Sequence, residues 1–170
     1  QSELSEWVAF RDTDSLGKYI NRDEKTFAVA PTFVNGRTMT AIGGSGYLED
    51  GSSSGTSVLG LDIVENLVIE NGIKIINIKA FYNCTNLINI IISDSVTNIG
   101  DDAFYGTALL KNQTGVKYAD TWVVACDEDV TSAEIKDGTR GIADSAFAGC
   151  TSLESITIPD SVTSIAVNAF

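Results

Sequence analysis

The stretch AFYNCTNLINIIISDSVTNIGDDAFYG, residues 80 to 106, contains the tripeptide Ala-Phe-Tyr near both of its ends. The copies at Ala80-Phe81-Tyr82 and Ala103-Phe104-Tyr105 are 23 residues apart. Ala-Phe returns at Ala146-Phe147 and Ala169-Phe170, so the successive intervals are 23, 43 and 23 residues. A fixed period of this length indicates a protein built from stacked structural repeats.

Other apolar residues keep the same register as Ala-Phe. An isoleucine lies eleven residues before each Ala and another lies four residues before it. A unit this short cannot enclose a core alone, so neighbouring units must bury each other's apolar layers in a solenoid. The continuous core predicted in this way consists of Ile69, Ile76, Phe81, Leu87, Ile92, Ile99, Phe104, Ile135, Ile142, Phe147, Leu153, Ile158 and Ile165.

The last repeat shows the local structure expected of each unit. The segment LESITIP, residues 153 to 159, alternates in polarity and points Ile156 and Ile158 inward, which predicts a strand. The sequence PDS ends that strand, and a second short run carries Val162 and Ile165 inward. The Ala-Phe that follows is expected to form a tight helical or 3₁₀ turn.

The same repeat, Leu153 to Phe170, follows the pattern LxxIxIPxxVxxIxxxAFxxCxxL at almost every position that it reaches. This pattern resembles the BspA-like leucine-rich repeat of bacterial surface and secreted proteins, and the resemblance covers about residues 32 to 170. It implies a repeat solenoid, a right-handed superhelix that is mainly β with short helical or 3₁₀ turns. Such proteins are usually discussed as adhesins or binding modules, so the resemblance implies an extracellular or cell-surface location and supplies no catalytic residues.

The interval between Phe104 and Phe147 departs from the pattern, because 43 residues are three short of two periods. We expect an irregular coil at about residues 105 to 134, with strands at GVKYA and TWVVA meeting at Asp120-Thr121. The segment EWVAFRDTD echoes TWVVACDED. Residues 1 to 31 are therefore predicted to form a cap or hairpin before repeats at 32 to 170, with a flexible insertion at DGSSSGTS, residues 50 to 57.

The two ends of the array differ in this interpretation. The sequence stops at Ala169-Phe170, halfway through a repeat, which suggests a fragment of a longer array. Ile158, Ile165 and Phe170 would then present an apolar layer shaped for stacking. We expect self-association through this uncapped C-terminal coil.

Composition excludes several classes of partner. The chain has 11 basic and 23 acidic residues, a net charge of −12, and no basic run. Nucleic acid is therefore not an expected partner. The longest apolar stretches, such as LINIII, are far shorter than the roughly 20 residues that span a bilayer, so membrane insertion is not expected either.

Few residue types suited to catalysis are present. The chain has no histidine, which removes the usual base of Ser-His-Asp and Cys-His systems and the commonest metal ligand. The acidic clusters Asp101-Asp102 and Asp127-Glu128-Asp129 match no known calcium loop and are interpreted as solvated turns. We predict no metal, no cofactor and no enzyme activity.

The three cysteines form no CxxC pair. Cys84 and Cys150 occupy the repeat position that Thr107 takes in between, which indicates a small buried structural slot. Cys126 lies outside this series and could be a reactive thiol, although no neighbour in the sequence would lower its pKa. Because Cys84 and Cys150 are at least two coils apart, we expect no disulfide between them and three free thiols in the chain.

The outward strand positions remain as candidates for binding. The register places eight side chains on the concave sheet, where neighbouring repeats align residues in rows. The apolar pair in these rows could contact a partner, support β structure, or be covered by the insertion. The candidate binding face consists of Asn66, Val68, Asn89, Ile91, Ser132, Glu134, Ser155 and Thr157.

Three functions fit these observations. The first is a non-catalytic extracellular module that binds a protein, such as a host or matrix protein. The second is a structural spacer within a longer surface protein. The third, an enzyme that uses carboxylates, is weakened by the absence of histidine and of a convergent polar cluster in the sequence.

Overall fold

The computed structural model of the chain describes residues 64 to 170 in full. Before them it describes the backbone of six strands and the side chain of Ile42. The six strands are β1 (Trp7–Phe10), β2 (Gly17–Asn21), β3 (Thr26–Ala30), β4 (Thr32–Val34), β5 (Arg37–Met39) and β6 (Ala41–Ile42).

The described region from residue 64 onward forms five successive coils, which we number 1 to 5. Each regular coil has a first strand, a two-residue second strand and an Ala-Phe turn. Coil 1 has β7 (Asn66–Ile69) and β8 (Ile75–Ile76), coil 2 has β9 (Asn89–Ile92) and β10 (Asn98–Ile99), coil 4 has β13 (Ser132–Glu134) and β14 (Gly141–Ile142), and coil 5 has β15 (Ser155–Thr157) and β16 (Ser164–Ile165). The irregular coil 3 has α1 (Ala108–Lys111), β11 (Val116–Ala119) and β12 (Trp122–Cys126).

Parallel pairing between equivalent strands builds the solenoid. The first strands form a sheet in the order β1-β2-β3-β7-β9, in which β3 is parallel to β7 and β7 to β9. The second strands form the sheet β10-β8-β6, and after the irregular coil the pattern resumes as β11-β12-β14-β16 and β13-β15. The chain is thus a β-solenoid with little helix, which confirms the predicted fold class.

The N-terminal strands continue the first sheet outward. β1 and β2 are antiparallel, as are β2 and β3, and β4 pairs with β5 in a separate two-stranded sheet. A hairpin was predicted in residues 1 to 31, and the division of the chain at residue 32 stays a prediction. The insertion at residues 50 to 57 lies outside the described residues.

Each Ala-Phe turn depends on a left-handed residue. The residue before the Ala has a positive φ in every described turn, with values of 56° at Lys79, 54° at Asp102, 57° at Ser145 and 60° at Asn168. Hydrogen bonds between residues three apart close the turn, as from Ala80 N to Asn77 O at 3.2 Å. The tight turn expected from the sequence is confirmed. After its left-handed start the Ala is buried in all four described turns and the Phe in the first three.

The predicted core is present as one cluster through coil 4. Ten of the thirteen predicted residues are buried, from Ile69 to Phe147, and Leu153 is half-buried against them. Phe81 and Phe104 stack at 5.5 Å between ring centroids. The prediction is wrong for Ile158 and Ile165, which are exposed because they lie in coil 5 and no described coil stacks on them.

Polar side chains reinforce the stack at the same 23-residue spacing. The hydroxyl of Ser95 accepts from Gly72 N at 2.9 Å and donates to Ile73 O at 2.7 Å, which connects coil 2 to coil 1. Gly138 N donates to Ser161 Oγ at 3.1 Å in the equivalent place between coils 4 and 5. These bonds satisfy backbone groups at the corner that follows the first strand.

Coil 3 contains the antiparallel strand pair predicted from the sequence. β11 and β12 meet at Asp120, whose φ is 53°, and β12 then pairs in parallel with β14. Trp122 is buried against Gly141, where an added Cβ would lie 2.4 Å from the indole ring. The absence of a side chain at Gly141 therefore makes room for the tryptophan in the irregular coil.

Arg140 joins coil 4 to coil 2 across the irregular coil. Its guanidinium donates to Asp94 Oδ1 at 2.7 Å, to Asp94 O at 3.0 Å and to Val96 O at 2.9 Å. Two of these acceptors are backbone carbonyls, so the contact fixes the position of the chain as well as balancing charge.

Phe104 should be essential to the stack. Replacing it with Ala removes a buried ring between coils and should lower the free energy of unfolding by about 3 to 5 kcal/mol. Chemical denaturation monitored by circular dichroism would measure the change. Tyr105→Ala is the matched control and should cost about 1 kcal/mol or less, because that side chain is exposed. Equal losses in the two variants would contradict a core that depends on the stacked phenylalanines.

Candidate functional site

The eight residues of the candidate binding face lie on two separate sheets. Asn66 pairs with Asn89, and Val68 with Ile91, across β7 and β9. Ser132 pairs with Ser155, and Glu134 with Thr157, across β13 and β15. The structure therefore brings each set of four together and does not join the two sets in one sheet.

The first set forms an amide pair beside an apolar surface. Asn89 Nδ2 donates to Asn66 Oδ1 at 2.9 Å. Ile91 is 62% exposed, whereas its neighbour Val68 is half-buried. The second set is polar, with Ser155 Oγ donating to Ser132 Oγ at 3.0 Å. A binding role for either set stays a prediction.

The irregular coil interrupts the row of outward residues. At the position beside β9, Asp120 Oδ2 accepts from Ile92 N at 2.8 Å, in place of the strand that a regular coil would supply. β11 pairs with β12 rather than with β9. The patch around Ile91 therefore ends at coil 2.

A second candidate site, which the sequence reasoning missed, lies where coil 3 lacks an Ala-Phe turn. Between coils 1 and 2 the turns are joined by three backbone hydrogen bonds. Lys79 N donates to Asp101 O at 3.0 Å, Phe81 N to Ala103 O at 2.8 Å and Asn83 N to Tyr105 O at 2.7 Å. The turn of coil 1 thus donates, and the turn of coil 2 accepts, at alternate residues.

The missing turn leaves both sides of this ladder open. The N–H groups of Asp102, Phe104 and Gly106 on coil 2 have no acceptor among the described residues. On coil 4, the equivalent carbonyls of Asp144, Ala146 and Ala148 have no donor among the described residues. At the base of the turns the two coils touch, because Asp144 N donates to Ile99 O at 2.9 Å.

The space between these turns is a groove of about 650 Å³, which we call the turn-gap groove. One wall is the turn of coil 2 and the other is the turn of coil 4. Residues 124 to 126, at the end of β12, and the helix α1 complete the lining. The side chains and turns that line it belong to Asn83, Asp101, Asp102, Tyr105, Gly106, Leu110, Lys111, Lys117, Val124, Ala125, Cys126, Glu128, Ser145, Ala146 and Ala148.

Three carboxylates, from Asp101, Asp102 and Glu128, and two lysines, Lys111 and Lys117, belong to the lining. Burial raises the pKa of Asp102, the neighbouring Asp101 raises it further, and Lys79 opposes the shift. Lys117 pairs with Asp127 at 2.5 Å, and this hydrogen bond lowers the pKa of the Asp127 carboxyl. At the rim, the exposed ring of Tyr105 stacks on Tyr82 at 5.2 Å.

The thiols are structural in this geometry. Cys84, Cys150 and Thr107 are all buried at their shared repeat position, and all three cysteines are free thiols. Cys126 and Cys150 both donate to Asp127 O, at 3.5 and 3.7 Å. Burial and the neighbouring Cys150 thiol raise the pKa of Cys126 to about 12, so it is protonated at neutral pH and a poor nucleophile.

Nothing in the described part of the chain resembles a metal centre. No group of three or more potential ligands among cysteine, aspartate and glutamate converges there, including the clusters at residues 101–102 and 127–129. Within the same residues no helix has the length and apolar character needed to cross a bilayer.

The family of the chain follows from its repeats. The family model described as the BspA type leucine rich repeat region matches residues 60 to 170 in six copies. That match covers well over half of the sequence, so this chain belongs to the BspA-type leucine-rich repeat family. The resemblance inferred from the repeat of residues 153 to 170 is thereby confirmed. No protein of curated function matches the chain.

Several solved bacterial leucine-rich repeat proteins are similar over most of this chain. One from Eubacterium ventriosum is 18% identical with a TM-score of 0.49, over 94% of this chain and 40% of that protein. A leucine rich cell surface protein from Faecalibacterium prausnitzii is 23% identical with a TM-score of 0.37, over 96% and 46%. A leucine-rich repeat protein from T. pallidum is 14% identical with a TM-score of 0.41, over 91% and 85%. The chain thus spans less than half of the first two proteins.

The raised pKa of Asp102 gives a stability prediction. Asp102 has a positive φ, a conformation that asparagine tolerates well and adopts at the equivalent Asn168. Because the folded pKa lies above the unfolded one, ionisation of Asp102 destabilises the fold at neutral pH, and this cost disappears below the unfolded pKa. Asp102→Asn should therefore stabilise the chain at pH 7 by up to about 0.5 kcal/mol.

The stabilisation should shrink as the pH falls to 3, and thermal melts across that range would measure it. Asp160→Asn is the control, because it removes one exposed carboxylate that does not act on Asp102 and leaves the left-handed residue unchanged. A gain that is the same at pH 7 and pH 3 would assign the effect to backbone preference rather than to charge.

Proposed function

We propose that the chain is a non-catalytic, extracellular protein-binding module of a bacterial surface or secreted protein, with a role in adhesion. Membership of a leucine-rich repeat family supports a binding role, because solenoid sheets align the side chains of successive repeats into extended binding surfaces. The absence of histidine from the sequence and the protonated state of Cys126 both weigh against catalysis.

The observation that carries this proposal is the exposed Ile91 on the outward face of β9. Its side chain is 62% exposed and lies beside the polar pair Asn66 and Asn89. An apolar centre with a polar rim is the arrangement found in protein interfaces. The net charge of −12 favours a partner surface with basic residues, because opposite charges steer association.

Replacing Ile91 with Asp tests this surface. The labelled chain would be applied to an array of extracellular matrix proteins and mucins, with serum albumin as the blank. We expect saturable binding to at least one protein, reduced at least about tenfold by Ile91→Asp, which is typical of an interface anchor. Ile78→Asp is the matched control, because Ile78 is also exposed but lies outside β9.

Two outcomes would count against this function. If Ile91→Asp leaves the binding intact, the sheet face around Ile91 is not the binding surface. Binding to the array no stronger than to albumin would favour a structural spacer.

A second contact surface is proposed at coil 5. Phe170 and Ile165 are 59% and 51% exposed, and Phe170 stacks on Phe147 at 5.1 Å. This layer has the same composition as the layers buried between coils, so a second copy of the chain can cover it. We expect the chain to self-associate through coil 5.

Sedimentation velocity over a concentration series measures this association. The apparent mass should rise with concentration for the parent chain. Phe170→Ser should restore a monomer, because it removes the largest exposed ring of the layer. Val167→Ser changes a side chain that is exposed outside the predicted core register and is the control. A parent chain that remains monomeric throughout would contradict the proposal.

A further inference from the structure

We propose that the turn-gap groove binds a peptide segment of a partner protein, whose backbone takes the place of the Ala-Phe turn that coil 3 lacks. The groove is separate from the sheet face around Ile91, and the two proposals can succeed or fail independently. The ligand class follows from the backbone groups that the walls present.

The hydrogen-bonding groups of the two walls are complementary to a polypeptide backbone. Coil 2 offers three unpaired donors, the N–H groups of Asp102, Phe104 and Gly106. Coil 4 offers the acceptors of Ala146 and Ala148, which line the groove, whereas Asp144 lies at the base, where coil 4 already contacts coil 2. A segment in the conformation of these turns presents carbonyls on one side and N–H groups on the other, as the turn of coil 2 does, so one segment in that conformation can serve both walls.

Coils 1 and 2 show the shape that such a segment takes. The turn of coil 1 donates to Asp101, Ala103 and Tyr105 on coil 2 through three bonds of 2.7 to 3.0 Å. The acceptors Ala146 and Ala148 on coil 4 have the same positions relative to their own Ala-Phe as Ala103 and Tyr105 have on coil 2. A peptide that adopts the conformation of residues 79 to 83 can therefore donate to coil 4 as coil 1 donates to coil 2.

The lining also selects side chains. Val124 and Ala125 contribute small apolar groups, which suits a small residue facing them. The lining contains three carboxylates, from Asp101, Asp102 and Glu128, and two lysines, Lys111 and Lys117, of which Lys117 is already paired with Asp127, so negative charge is in excess. A peptide with a basic residue beside a small one thus matches the groove better than an acidic peptide.

The probe is the synthetic heptapeptide NIKAFYN, which has the sequence of residues 77 to 83 and is acetylated and amidated at its ends. It contains a basic residue, a small residue and the turn sequence itself. The matched control is the same peptide with N-methyl groups on the amides equivalent to Lys79, Phe81 and Asn83. Methylation removes the three donors and keeps every side chain.

Amide hydrogen exchange by NMR gives a readout specific to this site. In the free chain, the amides of Asp102, Phe104 and Gly106 should exchange faster than the bonded amides of Lys79 and Phe81. Saturating peptide should slow exchange at those three amides. The methylated peptide should bind at least about tenfold more weakly, because the hydrogen bonds to the carbonyls of coil 4 are lost.

Two variants locate the binding. Ala148→Trp places a bulky side chain on the wall of coil 4 and should weaken peptide binding at least about tenfold. Thr151→Trp puts the same side chain on an exposed position of that coil outside the lining and should leave binding unchanged. Unchanged thermal melts would show that both variants fold.

Several results would overturn the proposal. Absence of binding at about 1 mM peptide would do so, as would slow exchange of the three coil 2 amides in the free chain, which would mean that they are already satisfied. Equal affinity for the methylated peptide, or binding that Ala148→Trp does not affect, would place any interaction elsewhere.

Discussion

The stability of this solenoid depends on contact between equivalent residues of neighbouring coils. No coil has a core of its own, and Phe81 is buried with Phe104 of coil 2 stacked against it. The backbone bonds between turns and the parallel strand pairs then fix the register of that contact. Both candidate sites lie where this stacking is interrupted by the irregular coil.

Much of this arrangement could be predicted because the same physical requirement recurs every 23 residues. Ile69, Ile92 and Ile135 must each fill an equivalent interior position, so the register alone identified them as core. The strand pair of coil 3 was also predictable, because GVKYA and TWVVA are β-forming runs that meet at an aspartate. The eight outward positions followed from the same alternation along the strands.

The turn-gap groove could not be located in this way. The interval of 43 residues indicated an irregularity. A missing turn, however, leaves backbone N–H and C=O groups unpaired, and every residue type except proline carries both groups, so the sequence does not show where they lie. Only the structure shows that Asp102 and Ala148 line a gap, where a regular coil 3 would place its Ala-Phe turn between them. The separation of the outward residues into two sheets was hidden for a related reason, because it depends on where β11 and β12 pair.

Arg140 gives the interrupted solenoid a mechanical property. Its guanidinium clamps coil 4 directly to the carbonyls of Asp94 and Val96 on coil 2. A pulling force along the solenoid axis is therefore carried across the irregular coil by the hydrogen bonds of Arg140 as well as by the paired strands. Arg140 does not belong to the groove lining, so this contact connects the two halves of the stack independently of the gap between the turns.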